Sequence, residues 1–214
     1  MPRRRPLADQ AAEPLAAAAP RIIGGTLKGR RLDYVPASGA RGGPPRTRPM
    51  KDRVRETLFD LLGPTVRGRV ALDLFAGTGA LGFEALSRGA ARAVFLERHF
   101  PTADALRRSA AALGVADAAD VRSGDAFAWA RRLPADLPHT APWVVFLAPP
   151  WQLLVDRPAD FAALVAALRA AAPAESVFVV ESDAAFDATT LPEAAGWRRQ
   201  EIPPAVLHLW DGLL

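Results

Sequence analysis

Val70-Ala-Leu-Asp-Leu-Phe-Ala-Gly-Thr-Gly-Ala-Leu-Gly82 is the stretch on which the reading of this chain turns. An apolar run ends in an acid, Asp73, bends through Gly77 and Gly79, and passes into alanine-rich helix formers. Strand, tight turn, helix is the order by which α/β proteins build a nucleotide-sized pocket at the carboxyl end of a parallel strand.

Outward from this stretch, apolar runs and helical periodicities alternate. A helix is expected over 80–88, closed by Gly89, then a strand over 93–97 and a helix over 102–113 closed by Gly114. A short strand near 119–122, a helix over 126–133 and a strand over 143–147 follow. A helix over 159–172 stops at Pro173, a strand covers 177–181, and strands near 197–202 and 206–210 form a hairpin through Pro203-Pro204. Such alternation predicts an α/β fold: a mostly parallel, Rossmann-like sheet with helices on both faces and an antiparallel edge at the carboxyl terminus.

Toward the amino terminus, 50–62 carries Val54, Leu58, Leu61 and Leu62 at helical spacing, with Lys51, Arg53 and Arg55 on the other face. Residues 36–49 are rich in Pro, Gly and Arg and read as a loop. Residues 21–32 read as two short strands about a glycine turn, exposing Arg21, Lys28, Arg30 and Arg31. Residues 1–20 read as a disordered Ala/Pro/Arg tail. The expected organisation is therefore a tail (1–20), a basic hairpin and loop (21–49) and one α/β domain (50–214).

Charge is divided unevenly. Residues 1–55 hold 13 Arg and Lys against 4 Asp and Glu, whereas the remainder holds 14 against 19. A basic front on an acidic body points to a polyanionic partner, nucleic acid being the usual one. There is no cysteine, so disulfides, thiolate metal sites and cysteine nucleophiles are excluded. His99, His139 and His208 are far apart in sequence, and no metal site is expected. No apolar run reaches the roughly 18 residues of a membrane span. Asp9 and Glu13 interrupt any secretory signal, so the expectation is a cytoplasmic protein without membrane association.

Gly77-Thr-Gly79-Ala-Leu-Gly82 matches G-x-G-x-x-G, which also occurs in nicotinamide-dependent dehydrogenases. The surrounding acids bear on the choice. Asp73 ends the first strand, Glu97 ends the second, and Asp125 follows the third. Three acids on successive strand ends suit S-adenosylmethionine (SAM), a cationic nucleoside, better than a pyrophosphate. Helix capping and turn formation would account for the same residues without a ligand.

A second signal lies in Val144-Val-Phe-Leu-Ala-Pro-Pro-Trp151. Two prolines after a buried strand force an extended exit. They would hold Trp151 at the pocket mouth, where an aromatic ring can stack on an extruded base for roughly 1–3 kcal/mol. Together the two signals point to methyl transfer to an exocyclic base amine.

The residues that carry both signals resemble the RsmD family of class I SAM-dependent methyltransferases, which act on guanine N2 of 16S ribosomal RNA. The likeness runs from about 21 to 211. It rests on Arg21-Ile-Ile-Gly-Gly, Lys28-Gly-Arg-Arg-Leu32, Arg48-Pro-Met-Lys-Asp-Arg-Val-Arg-Glu-Thr-Leu-Phe59 and Asp73-Leu-Phe-Ala-Gly-Thr-Gly-Ala-Leu-Gly82. The resemblance implies a seven-stranded sheet with an N-terminal hairpin that grips small-subunit ribosomal RNA, free or in a 30S assembly particle, and a monomeric protein. It implies that Asp73, Gly77 and Gly79 line the methionine end of SAM, that Glu97 meets the ribose, that Asp125 and Ala126 meet the adenine, and that Phe75 also contacts the cofactor. It places Arg21, Lys28, Arg30, Arg31, Arg48 and Arg53 against RNA, and Ala148, Pro149, Pro150 and Trp151 at the reacting amine.

Position 148 departs from the family, which carries Asp, Asn or Ser before Pro-Pro. That side chain accepts a hydrogen bond from the target amine, and alanine cannot. Three readings follow: a methyltransferase with catalysis by positioning, a SAM- and RNA-binding homologue without catalysis that serves ribosome assembly, and a nicotinamide oxidoreductase. Ala148→Asp separates the first two, and the preference for SAM or NADH isolates the third.

Overall fold

Among the described residues, seven strands and six α-helices realise the alternation. The strands are β1 (Val70–Asp73), β2 (Arg92–Glu97), β3 (Ala119–Ser123), β4 (Trp143–Leu147), β5 (Val177–Asp183), β6 (Arg198–Ile202) and β7 (Ala205–Trp210). The helices are α1 (Asp52–Leu62), α2 (Ala80–Ser87), α3 (Phe100–Leu113), α4 (Ala126–Ala130), α5 (Trp151–Asp156) and α6 (Pro158–Ala171). The computed structural model describes residues 19–34, 50, 52–132, 137 and 141–211. Residues 1–18 of the tail and the 36–49 loop with Arg48 lie outside the described residues; the end of the expected tail is ordered, with Pro20 buried and its carbonyl accepting from Leu32 N at 2.8 Å.

The sheet order is β3-β2-β1-β4-β5-β7-β6. Strands β1 to β5 pair in parallel and β7 runs antiparallel to both β5 and β6. β1 is flanked by β2 on one side and β4 on the other, so strand order reverses there. A crevice opens at such a point beyond the carboxyl ends of the strands.

Strand alternation decides which side chains meet that crevice. Ala71, Phe95, Phe146 and Val179 bury on one face of the sheet against α1, α2 and α3; Leu72, Val94, Val145 and Phe178 bury on the other against α4 and α6. Continuing the alternation puts Asp73, Glu97, Ala148 and Glu181 on the α1–α3 face at the carboxyl edge. Gly82 lets α2 lie on β2: a Cβ there would stand 2.3 Å from the Phe95 ring.

Several expectations need correction. The N-terminal segment makes a single antiparallel bridge, Arg21 to Arg31, instead of two strands. Ile22 N and Gly29 N bond across the hairpin, but the donors between them turn to α2: Ile23 N bonds Glu84, Thr26 N bonds Ser87 O, and Leu27 N bonds the Ser87 hydroxyl. Arg55 is fully buried, not part of an exposed basic face, and Leu61, assigned to the apolar stripe, is 40% exposed. The buried stripe of α1 is Val54, Arg55, Leu58, Phe59 and Leu62. Arg55 donates to the Arg21 carbonyl (2.6 Å) and Asp52 (2.9 Å), and its Nε lies 3.8 Å from Glu84. Glu84, also fully buried, accepts from Ile23 N and Arg88 Nε, both at 2.8 Å. A charged cluster thus ties the N-terminal segment to α1 and α2.

α3 begins at Phe100, two residues earlier than expected, because Pro101 fits a first helical turn. α1 begins at Asp52, and α4 ends at Ala130, short of 133. The exit from β4 is extended only through Pro150 (φ −51°, ψ 127°); helix α5 then starts at Trp151. No helix among the described residues is long and apolar enough to cross a membrane.

Candidate cofactor and substrate pocket

A cavity of about 360 Å³ lies over the carboxyl edge of the sheet, within the range of small-ligand sites. Asp73, Phe75, Gly77, Glu97, Asp125, Ala126, Ala148 and Pro150 all border it. The β1 turn, the ends of β2 and β3, and the exit of β4 therefore converge on one site.

Each acid on the wall has a defined local role. Asp73 is 1% exposed, and its Oδ2 accepts from Gly82 N at 3.1 Å. Its Oδ1 has no hydrogen-bond partner among the described residues. Burial pushes its carboxyl up to about 7; the Gly82 bond opposes the rise and Glu97 adds to it. Glu97 fastens the glycine turn, accepting from Gly77 N (2.9 Å) and His99 N (2.8 Å). Asp125 caps α4, accepting from Ala128 N at 2.9 Å. Capping and ligand binding are compatible here, since a carboxylate oxygen has more than one lone pair. Phe75 is braced edge-on by Phe127, with ring centroids 6.1 Å apart.

Three expected site residues stand back from the cavity wall: Gly79, the buried Pro149 and Trp151. Gly79 lies behind the turn with φ 73°, where a Cβ would stand 2.5 Å from Leu106 and 2.7 Å from Phe83. It forms the bend and Gly77 faces the space. Trp151 is half-buried against the α1–α3-side core and does not line the cavity. The helical start of α5 accounts for that: Pro150 and Leu153 reach the wall in its place.

Sequence reasoning missed Glu181, which also lines the cavity. Burial raises its carboxyl to about 7. Arg98, His99, Thr102, Tyr34 and Met50 were likewise not assigned to the site and border it. Among the basic residues, Arg21, Lys28, Arg30, Arg31 and Arg53 are exposed. Arg21 pairs with Asp52 at 3.3 Å, and Arg30 donates to Ala112 O. No group of acids and histidines among the described residues could hold a metal ion.

This strand order, with helices on both faces and a ligand-sized cavity at the point of reversal, defines the class I methyltransferase fold. A solved structure from Escherichia coli, described as a candidate methyltransferase, superposes with a TM-score of 0.68 at 32% identity, covering 90% of this chain and 97% of that one. The family described as Conserved hypothetical protein 95 matches residues 20–202. The chain belongs to this family, the RsmD family whose motifs its sequence carries. Ribosomal RNA small subunit methyltransferase D of E. coli is 42% identical over 132 residues, or 62% of this chain and 60% of the relative. The Haemophilus influenzae protein of the same name is 39% identical over 132 residues, 61% and 63%. The matched stretch thus spans less than two thirds of these curated relatives.

Proposed function

We propose that this protein transfers a methyl group from SAM to the exocyclic N2 amine of a guanine in small-subunit ribosomal RNA, as a cytoplasmic monomer acting on RNA or on a 30S assembly particle. The observation that carries the reading is the buried Asp73 carboxylate, with one oxygen unpartnered on the cavity wall. A cation suits that oxygen and a pyrophosphate does not, which disfavours the nicotinamide reading. The residues present therefore fit SAM: Asp73 and Gly77 at the methionine ammonium, Glu97 at the ribose hydroxyls, and Asp125 with the Ala126 backbone at the adenine.

When bound there, SAM supplies an electrophilic methyl group on a sulfonium. Because the donor is already reactive, the protein's main task is alignment of donor and acceptor. Ala148 and Pro150 form the wall where a planar amine would enter, and their backbone limits its approach. Exposed Arg21, Lys28, Arg30, Arg31 and Arg53 would attract the RNA backbone and raise the local substrate concentration. The shared name of the curated relatives supports ribosomal RNA as the substrate class.

The second reading, a homologue that binds but does not catalyse, draws on the methyl side chain at Ala148. Incubation of the purified protein with methyl-labelled SAM and undermethylated small-subunit RNA separates the two. The proposal expects label in the RNA, recovered as a methylguanosine on digestion. Binding of SAM without label transfer would establish the second reading.

A further inference from the structure

The acids of the pocket fall into two groups. Asp73, Glu97 and Asp125 stand at the ends of β1, β2 and β3, on the side of the sheet that the proposed function assigns to SAM. Glu181 stands apart on β5, with β4 and Ala148 between it and Asp73. The β4–β5 register pairs Leu147 with Val180. The next step along that register sets Ala148 beside Glu181. Alternation puts both on the α1–α3 face, and both border the cavity. Neighbouring strands lie about 4.8 Å apart, a gap that the two methylenes of a glutamate can cross. Within its own surroundings the carboxylate has little to do. It has no hydrogen-bond or ion-pair partner among the described residues, and its antiparallel neighbour on β7 is the apolar Leu207.

We propose that Glu181 does what the side chain at Ala148 cannot: its carboxylate accepts a hydrogen bond from the target exocyclic amine and then receives that amine's proton. This rests on the methyltransferase reading. As the N–C bond forms from the nitrogen lone pair, the methyl carbon–sulfur bond breaks with its electrons staying on sulfur. The nitrogen, left with one positive charge, passes one proton to Glu181, which later releases it to solvent. Burial supports the proton step, since a carboxyl held near 7 can both take up and release a proton at neutral pH. The place of the carboxylate across the strand explains how the site can work with alanine at 148. A ligand-binding role toward SAM does not explain it, because Asp73 already fills the corresponding place on β1.

The test uses the full-length protein in four forms: wild type, Glu181→Gln, Ala148→Asp, and the double variant. Steady-state methyl transfer to small-subunit RNA is measured alongside calorimetric binding of S-adenosylhomocysteine. Glu181→Gln is expected to lower kcat about 100-fold, the order for loss of a positioned base. RNA KM and S-adenosylhomocysteine affinity should stay within about threefold, which a merely structural role would not predict. In the double variant the carboxylate at 148 should restore at least about a tenth of the wild-type kcat. A Glu181→Gln protein with wild-type kcat would overturn the role of Glu181 and leave the methyltransferase reading standing. So would a loss of kcat matched by an equal loss of S-adenosylhomocysteine binding. Wild-type protein that transfers no methyl group would overturn both.

Discussion

Replacing Asp73 by Asn should make the empty protein more stable and the SAM-binding protein worse. The carboxyl lies about 7 in the fold against an ordinary 3.8, chiefly because it is buried. At about 1.4 kcal/mol per pH unit, keeping it ionised costs the folded state about 4 kcal/mol at pH 8. The sign follows from the raised value. This contribution favours the fold fully below about pH 4 and is lost as pH rises through 7, so the cost at pH 5 is under about 2 kcal/mol. Asparagine keeps an oxygen for the Gly82 N–H and carries no charge. Burial of its amide takes back roughly 1–2 kcal/mol. A net gain of about 2–3 kcal/mol at pH 8 converts to a rise in Tm of about 4–12 °C for a chain of this size. Thermal melts of both proteins at pH 5 and pH 8 check this. The difference between variant and wild type should grow with pH; taking that difference removes the contributions of Glu181, raised to about 7, and His208, lowered to about 4. Calorimetric titration should show SAM affinity falling by about 10- to 150-fold, the range for a lost hydrogen bond to a charged group. Wild-type affinity should rise as pH increases through 7, and the variant's should not. An unchanged affinity together with a Tm that falls at pH 8 would refute the reasoning.

Glu84→Ala should cost about 3–5 kcal/mol in urea denaturation, because it removes the buried carboxylate beside Arg55, leaving Arg55 only Asp52, and strips Ile23 N and Arg88 Nε of their acceptor. Gly82→Ala should lower Tm and weaken SAM binding together: the new methyl would stand 2.3 Å from the Phe95 ring, and such overpacking costs about 1–3 kcal/mol or more. Neutralising Lys28, Arg31 and Arg53 together should weaken RNA binding and reduce the slope of log affinity against log salt by about 2–3. An unchanged slope in filter binding would make these side chains a solvated surface only.

The fold was legible because β1, β2, β4, β5 and β7 are largely apolar and the bends between elements carry glycine and proline, whereas β3 and β6 are polar and show only through their place in the alternation. Three acids that border the cavity were legible from their position: Asp73 and Glu97 close β1 and β2, and Asp125 follows β3. Other features resist reading for physical reasons. Arg55 shares the helical face of Leu58, Phe59 and Leu62, so periodicity does place it inward; a charged residue reads as exposed unless its buried partner Glu84, 29 positions later, is known. The N-terminal pairing is short because the backbone bonds that would extend it go to α2, a tertiary preference with no local signature. α5 has six residues, too few to show a period, and its start at Trp151 turns that ring from the cavity toward the core. Glu181 follows Val177-Phe-Val-Val180 as Asp73 follows Val70-Ala-Leu72. The signal was therefore present, and reading β4 and β5 in register would have set it beside Ala148.

Mass spectrometry of nucleosides from small-subunit ribosomal RNA, in cells with and without this gene, tests methyl transfer to guanine most directly. Guanine methylation by this protein predicts that one N2-methylguanosine per RNA disappears on deletion and returns with the wild-type gene. An unchanged nucleoside profile after deletion would contradict it.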